Sequence, residues 1–165
     1  MGSEEQLKGK VEDRFESARA TIQRKQRLLI TLDRDALASL LLFLKSEGLA
    51  HLAAISCVDW LEQGTFQLTY HVASYSEGIH AMVEVNVPRE KPTFISIVPI
   101  YKHAQTYERE IWEMFGVEFE GNARLVPFLL DRWQNTPPMR KDFDTRQYVH
   151  ETFGVEERRQ KTEEV

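Results

Sequence analysis

Residues 52–87, LAAISCVDWLEQGTFQLTYHVASYSEGIHAMVEVNV, contain three consecutive strand patterns separated by short turns. Residues 52–58 are nearly all apolar, as in a strand at the centre of a sheet. Residues 65–74 and 79–87 alternate between apolar and polar side chains, which is typical of strands with one buried face. Gly64 and the Ser-Glu-Gly turn between the second and third strands favour short connections. This stretch therefore predicts a sheet built mainly from antiparallel strands.

The flanking sequence predicts three helices and two further strands. Residues 4–25 have apolar side chains at spacings of three and four, which predicts a helix with a thin apolar stripe. Residues 26–32 predict a strand, and residues 36–46 a helix whose leucine-rich face must be buried. Residues 94–98 predict another strand, and residues 104–115 return to a helical period.

This order of elements predicts an α+β fold: a mixed, mainly antiparallel sheet with helices packed on one face, plus an extended C-terminal segment. We expect residues 1–25 to form an N-terminal helical arm, either loosely attached or used for docking. Residues 26–121 should form the α+β domain. Residues 122–165 should form an extended partner-binding loop and a charged tail.

Composition excludes several classes of function. The 165 residues carry a net charge of -5, which gives no reason to expect nucleic-acid binding. No run approaches the ~20 apolar residues of a transmembrane helix. The first ten residues are polar and do not resemble a secretory signal. The expected location is the cytoplasm, or the cytoplasmic face of a membrane reached through partner proteins.

Cysteine and histidine usage gives no support for a resident metal or redox centre. Cys57 is the single cysteine, whereas an internal disulfide, an iron–sulfur cluster or a nickel thiolate site needs at least two. Its apolar neighbours favour a small buried side chain over a nucleophile. The histidines are scattered, and His71 and His80 could face each other across a hairpin without a third ligand. We found no Gly-rich phosphate loop and no G-x-S-x-G motif.

Helix 107–116, YEREIWEMFG, is the densest charged feature. Arg109 and Glu113 are four residues apart and predict an ion pair on the surface of an amphipathic helix. Glu110 and Glu113 could alternatively serve as a catalytic acid and base, although no nucleophile or histidine accompanies them. Gly116 is placed to end the helix.

The segment that follows this helix is long and apolar. Residues 116–143 have no clear helix or strand pattern, which is unusual for a compact domain. The segment carries seven large apolar side chains: Phe119, Leu125, Val126, Phe128, Leu129, Leu130 and Trp133. Such a segment is expected to lie on another protein. It closes with PPMRKDF, residues 137–143, whose charged triplet could fix it there by charge-assisted hydrogen bonds.

The motifs E-R-E and E-M-F-G-V, then F-E-G, then P-M-R-K-D-F resemble the complex I 30-kDa subunit family of NADH:quinone oxidoreductase, which also occurs in membrane-bound [NiFe] hydrogenases. The resemblance covers residues 26–147. Where the family usually has histidine and proline, this chain has Asn122 and Ala123, which favours the divergent hydrogenase-like branch.

The resemblance implies a cofactor-free structural subunit in the hydrophilic arm of a membrane-bound complex, packed on a large catalytic subunit and a small iron–sulfur subunit. Iron–sulfur clusters, and in hydrogenases a NiFe centre, would belong to those partners. The residues expected at the partner interface are Glu108, Arg109, Glu110, Glu113, Phe128, Trp133, Arg140, Lys141, Asp142 and Phe143.

Three other functions remain open from the sequence. The first is membership of a quinone-reducing NADH dehydrogenase-type complex. The second is a small stand-alone enzyme that uses Glu110 and Glu113. The third is an adaptor that binds one partner reversibly.

Overall fold

The computed structural model describes residues 2–131 and 137–154. Four helices and seven strands lie in these ranges: α1 Ser3–Arg14, β1 Arg19–Arg24, β2 Arg27–Thr31, α2 Leu37–Ser46, β3 His51–Trp60, β4 Thr65–Ser74, β5 Ile79–Pro88, β6 Thr93–Ile95, α3 Ala104–Phe115, β7 Glu118–Glu120 and α4 Thr145–Phe153. In this part of the chain, no helix combines the length and apolarity needed to cross a bilayer.

The main sheet has five strands in the order β1-β2-β5-β4-β3. The β1–β2, β3–β4 and β4–β5 pairings are antiparallel, whereas β2 runs parallel to β5. A second, two-stranded sheet pairs β6 with β7 in parallel. The prediction of a mixed, mainly antiparallel sheet is confirmed.

All core side chains of the main sheet project from one face, and the buried residues of α1, α2 and α3 pack on that face as a single cluster. On β4 the buried apolar residues are those expected from the alternation: Phe66, Leu68, Tyr70 and Val72. The leucine-rich side of α2 is fully buried, as predicted. The α+β class with helices on one face is therefore confirmed.

Strand β3 lies at the edge of the sheet, so the prediction of a central strand from residues 52–58 is wrong. A bulge between Leu52 and Ala54 shifts the register, and α3 packs beside this edge. The Tyr107 hydroxyl donates to the Ala53 carbonyl over 2.8 Å. Leu52 and Ile55 face the core, whereas Ala53 and Val58 are exposed, so the apolar run does not mark a strand that is buried on both faces.

The N-terminal helix predicted for residues 4–25 is wrong beyond Arg14, because residues 19–24 form β1. Apolar spacing of three and four continues by coincidence into a strand that pairs with β2. Leu7 and Val11 are buried, so α1 is packed into the core and is not loosely attached. The boundary predicted at residue 25 therefore does not coincide with an edge of the core.

The end of α3 receives the returning chain. Gly116 ends the helix at φ +74°. The Met139 amide then donates to the Met114 carbonyl over 3.0 Å, and Arg140 Nε donates to the Phe115 carbonyl over 2.7 Å. Residues 137–140 thus dock on this chain's own helix, in contrast to the partner-bound segment predicted from the sequence.

The close approach at Gly116 generates a stability prediction. A Cβ at this position would lie 2.8 Å from both Pro137 Cγ and Arg140 Nη2, in a backbone conformation that side chains disfavour. We expect Gly116→Ala to lower the free energy of unfolding by about 1–3 kcal/mol, measured by urea denaturation. The control is Gly9→Ala in α1, where a Cβ meets nothing within 4 Å. It should raise stability by about 0.5–1 kcal/mol, and equal effects of the two substitutions would contradict the docking.

Candidate partner interface

Glu108 is fully buried between α3, the turn after β6 and the turn after β7. Its carboxylate accepts hydrogen bonds from Ser96 Oγ at 2.7 Å, the Ile97 amide at 2.8 Å and Asn122 Nδ2 at 2.9 Å. Burial raises the pKa of Glu108, although these three donors act in the opposite direction. The prediction that Glu108 contacts a partner is wrong, because its side chain is enclosed by its own chain.

The helical periodicity contains a weak signal for this burial. Ala104, Glu108 and Ile111 are the buried residues of α3 and follow one another at spacings of four and three. A glutamate in an amphipathic helix is normally predicted to lie on the surface, unless the groups that donate hydrogen bonds to its carboxylate are known. Sequence reasoning missed Ser96 and Asn122, because both are distant in sequence and common in exposed turns.

Two further charged residues of α3, Arg109 and Glu113, hold the loop after β7 in a defined conformation. Arg109 donates to the carbonyls of Val126 and Pro127, at 3.3 and 3.1 Å. The Glu113 carboxylate accepts from the three consecutive amides of residues 128–130, at 3.0, 2.7 and 3.1 Å. We call Arg109 and Glu113 the α3 clamp. Each member is engaged with loop backbone, so the direct Arg109–Glu113 ion pair predicted from the sequence does not form.

The electrostatics of the clamp match its hydrogen bonds. Partial burial acts to raise the pKa of Glu113, but the three backbone amides and the nearby Arg109 hold it below its ordinary value. Arg109 also lies over the Phe128 ring, with 4.6 Å between the guanidinium carbon and the ring centroid. Both contacts stabilise one conformation of the loop.

The clamped segment, residues 125–130, exposes apolar side chains, and we call it the apolar loop. Val126, Phe128 and Leu129 are 51%, 43% and 53% exposed. Three neighbouring large apolar residues at this exposure form a surface suited to burial by another protein. Phe128 thus lies on the surface as the interface prediction requires, and Val126 and Leu129 join it.

A second charged arrangement joins the C-terminal segment to the main sheet. Asp59 lies at the end of β3 and is 2% exposed. Its carboxylate accepts hydrogen bonds from Arg89 Nε at 2.9 Å and from Arg89 Nη2 at 3.1 Å. Arg89 Nη2 also lies 2.5 Å from Asp142 Oδ1, and the Lys141 amide donates to Asp59 over 2.9 Å. Burial acts to raise the pKa of Asp59, yet these donors hold it below its ordinary value.

Arg140 and Arg89 both lie against the Phe66 ring, with guanidinium carbons 5.2 and 5.5 Å from its centroid. Arg140 and Asp142 both have partners within the chain: the Phe115 carbonyl at the end of α3 and Arg89 after β5. Sequence patterns cannot bring these groups together, and contact of Arg140 and Asp142 with a partner protein stays a prediction.

The remaining predicted interface residues have mixed positions. Glu110 is exposed on α3, and Lys141 is exposed with its Nζ 5.6 Å from the Trp60 ring centroid. Phe143 is half-buried, with its ring centroid 5.6 Å from that of Tyr148. Trp133 lies outside the described residues. Partner contact through these four residues stays a prediction.

Thiol and imidazole groups form no metal-binding cluster in the described ranges, where no three His, Cys, Asp or Glu side chains converge. Burial, with Asp59 adding to it, raises the pKa of the Cys57 thiol to about 12, so the thiol is protonated and a poor nucleophile. His71 and His80 do face each other as the hairpin predicted, with ring centroids 5.6 Å apart.

The buried carboxylate of Glu108 gives a matched pair of substitutions. We expect Glu108→Gln to lower the free energy of unfolding by about 1–3 kcal/mol, because the single amide oxygen of glutamine cannot accept from Ser96, Asn122 and the Ile97 amide together. Glu110→Gln on the exposed side of the same helix should change it by less than about 0.5 kcal/mol. Denaturant titrations of the full chain measure both values. An unchanged midpoint for Glu108→Gln would contradict the proposed role of this carboxylate.

The Asp59–Arg89 pair predicts an acid-dependent stability difference. We expect Arg89→Met to cost about 3–5 kcal/mol at neutral pH, because it leaves Asp59 buried without a cation. The pair stabilises the fold fully above pH 3.8, because 3.8 is the ordinary pKa of an aspartate. The pKa of Asp59 in the folded chain is lower, and the contribution of the pair is lost as the pH falls through that lower pKa. The difference in free energy of unfolding between Arg89→Met and the unaltered chain should therefore narrow as the pH falls below 3.8.

Asp142→Asn provides the control for this measurement, because the Asp142 side chain is 51% exposed. It should cost about 1 kcal/mol or less. Unfolding followed by circular dichroism from pH 7 to pH 3 compares the three proteins. If the free energy of unfolding of Arg89→Met differs from that of the unaltered chain by the same amount at every pH, the Asp59–Arg89 ion pair is not the cause of the difference.

Comparison with known proteins is consistent with this fold and its motifs. Residues 30–149 match the family model described as the respiratory-chain NADH dehydrogenase 30 Kd subunit. The matched range runs from the end of β2 into α4 and contains every element between them, including the clamp and the Asp59–Arg89–Asp142 contacts.

Several curated relatives exceed 30% identity, including the following two. One is a component of the F(420)H(2) dehydrogenase of Methanosarcina mazei, 32% identical over 142 residues, which cover 85% of this chain and 89% of that protein. The other is a component of the NADH-quinone oxidoreductase of Rhizobium johnstonii, 34% identical over 126 residues, which cover 74% of this chain and 62% of that protein. The match with the second relative therefore spans less than two thirds of its length.

Solved structures share the architecture. A chain of the membrane-bound sulfane sulfur reductase, an archaeal respiratory membrane complex, is 32% identical and superimposes with a TM-score of 0.86 over 93% of both chains. The trypsin-resistant fragment of Nqo5, at 23% identity and a TM-score of 0.62, covers 72% of this chain and shares its fold. With a family match over most of its length and relatives above 30% identity, this chain belongs to the respiratory-chain NADH dehydrogenase 30 Kd subunit family, as its motifs predict.

Proposed function

We propose that this chain is a cofactor-free structural subunit of the peripheral arm of a membrane-bound, complex I-like oxidoreductase, at the cytoplasmic face of the membrane. Its partners are the large catalytic subunit and the small iron–sulfur subunit, which carry the redox centres. The observation that carries this proposal is the apolar loop, which the α3 clamp holds in a defined conformation with its apolar side chains exposed.

A clamped loop favours stable assembly, because the conformational entropy of the loop is lost on folding rather than on binding. Glu113 and Arg109 together fix five consecutive backbone positions, residues 126–130. The exposed Phe128 then presents an aromatic ring of the kind enriched in the binding core of interfaces. These features support docking against an apolar surface of a partner subunit.

The chemistry of the charged side chains argues against the stand-alone enzyme. Glu113 is saturated by three amides, which leaves no free carboxylate to pair with the exposed Glu110 as acid and base. Glu108 is enclosed, and Asp59 is bound to Arg89. Glu108, Glu113 and Asp59 are therefore all engaged in stabilising the fold.

The choice of complex rests on coverage of the relatives. Two matches above 30% identity span about nine tenths of the other chain: the F(420)H(2) dehydrogenase component and the sulfane sulfur reductase chain. They support the branch that includes membrane-bound hydrogenases and related ferredoxin-driven, ion-pumping complexes. A quinone-reducing NADH dehydrogenase-type complex is the alternative, supported by the shorter match to the Rhizobium protein.

Substitution in the apolar loop tests the proposal. We expect Phe128→Ser to reduce recovery of this chain with the large and iron–sulfur subunits from native membranes by about tenfold or more, because loss of a central aromatic anchor costs at least ~2 kcal/mol of binding. The urea midpoint of the isolated variant should stay unchanged, since Phe128 is 43% exposed.

The control is Phe153→Ser in α4, which removes an aromatic ring that is 67% exposed at a different surface. It should leave recovery unchanged. Undiminished recovery of Phe128→Ser would overturn the interface, and purification of the unaltered chain as a stable monomer from native membranes would overturn the proposed function itself.

A further inference from the structure

The face of the main sheet opposite to the helices has no helix over it in the described ranges. Its side chains alternate with the buried core residues of β2, β4 and β5 and are half-exposed. Five of them lie close together by strand register, with Arg27 beside His80, Leu29 beside Met82, and His71 beside Met82. We call this group the open face: Arg27, Leu29, His71, His80 and Met82.

The open face borders a basic cleft on a chain whose net charge is -5. The cleft, with a volume of about 520 Å³, lies between the β1–β2 and β4–β5 turns. The residues that line it are Arg24, Lys25, Gln26, Arg27, Gly78 and His80. Four of these side chains are basic or imidazole groups, and none is a carboxylate. The nearest carboxylate along the face of β5 is Glu84, whose pKa burial raises and which hydrogen-bonds Gln67.

Arg27 is poorly satisfied by its own chain. Its Nη2 lies 3.2 Å from Met82 Sδ, and a thioether is a weak acceptor. Its Nε is buried without an acceptor. The buried Nε is out of reach of an external carboxylate, but the terminal nitrogens, whose acceptor is the weak Met82 thioether, retain capacity for an anion.

The imidazoles beside Arg27 add two flat rings to this surface. His71 and His80 are stacked with ring centroids 5.6 Å apart, and Ser56 Oγ lies 3.3 Å from His71 Nε2. Burial lowers the pKa of both rings, and the charge of Arg27 lowers them further, with Arg24 also acting on His80. The two rings are therefore neutral at pH 7 and form a flat, partly apolar floor next to the guanidinium.

We propose that the open face binds an acidic segment of a neighbouring protein subunit, in which a carboxylate pairs with Arg27 and apolar side chains cover Leu29 and Met82. The inference rests on the proposed function, because it assigns this surface within the same assembly. Charge complementarity selects an acidic occupant, and the apolar residues next to Arg27 favour a peptide segment over a free phosphate or a nucleic acid.

Chemical protection in the native complex tests the inference directly. Phenylglyoxal modification mapped by mass spectrometry should label Arg27 in the isolated full chain and at least tenfold more slowly in the assembled complex. Arg124, which is exposed beside the apolar loop, reports independently on that interface. Labelling of Arg27 at equal rates in both samples would overturn the inference while leaving the proposed function intact.

Substitution at Arg27 gives a second, independent readout. Charge reversal by Arg27→Glu should reduce recovery of the complex at 0.15 M salt by about tenfold or more, and Arg27→Gln should reduce it less. Lys102→Glu, a charge reversal at an exposed turn before α3, is the control and should have no effect. Urea midpoints of the isolated variants exclude loss of folding as the cause. Equal recovery of Arg27→Glu and Lys102→Glu would overturn the inference.

A photo-crosslinking amino acid in place of Leu29 identifies the occupant. The expected product joins residue 29 to a segment of another subunit that contains Asp or Glu. A crosslinked segment without either residue would overturn the inference. Protection of Arg27 that is already present in the isolated chain and is lost on truncation after Gly154 would also overturn it, because residues 155–165 of this chain would then be the occupant.

Discussion

The buried carboxylate of Glu108 fixes the position of α3, and the functional surface is built from that helix. Three donors from two separate turns converge on this one side chain, so α3 cannot rotate or slide without leaving them unpaired. The orientation of α3 in turn directs Arg109 and Glu113 toward the apolar loop. A charge hidden inside the domain thereby determines what is presented outside it.

The two halves of the sequence motif belong to one arrangement within the chain. The E-R-E helix ends at Gly116, and the returning R-K-D segment fits against that glycine, with Arg140 on the Phe115 carbonyl. Asp142 completes the pair of Asp59 and Arg89 at the ends of two strands. The spacing between the halves thus reflects the path of the loop between two anchored points.

This organisation suits a subunit whose contribution is mechanical. Its charged groups are used to stabilise internal joints, because a buried ion pair or carboxylate that loses one partner is strongly destabilising. The surfaces that we propose for assembly are of two kinds: the clamped apolar loop and the basic open face around Arg27. The loop offers apolar area and the open face offers charge selectivity, so together they could hold one subunit in a single orientation between two neighbours.

The sequence by itself determined the α+β class, the strands β4 and β5, the helices α2 and α3, and the family, because these follow from periodicity, turn residues and short motifs. It did not reveal that β1 is a strand or that β3 lies at an edge, since pairing partners are set by long-range register. Only the tertiary structure decided that Glu108 is buried and that Arg140 and Asp142 bond to groups of their own chain. A charged residue reads as exposed until its hydrogen-bond partners are known, and here those partners lie 11 to 53 positions away in the chain.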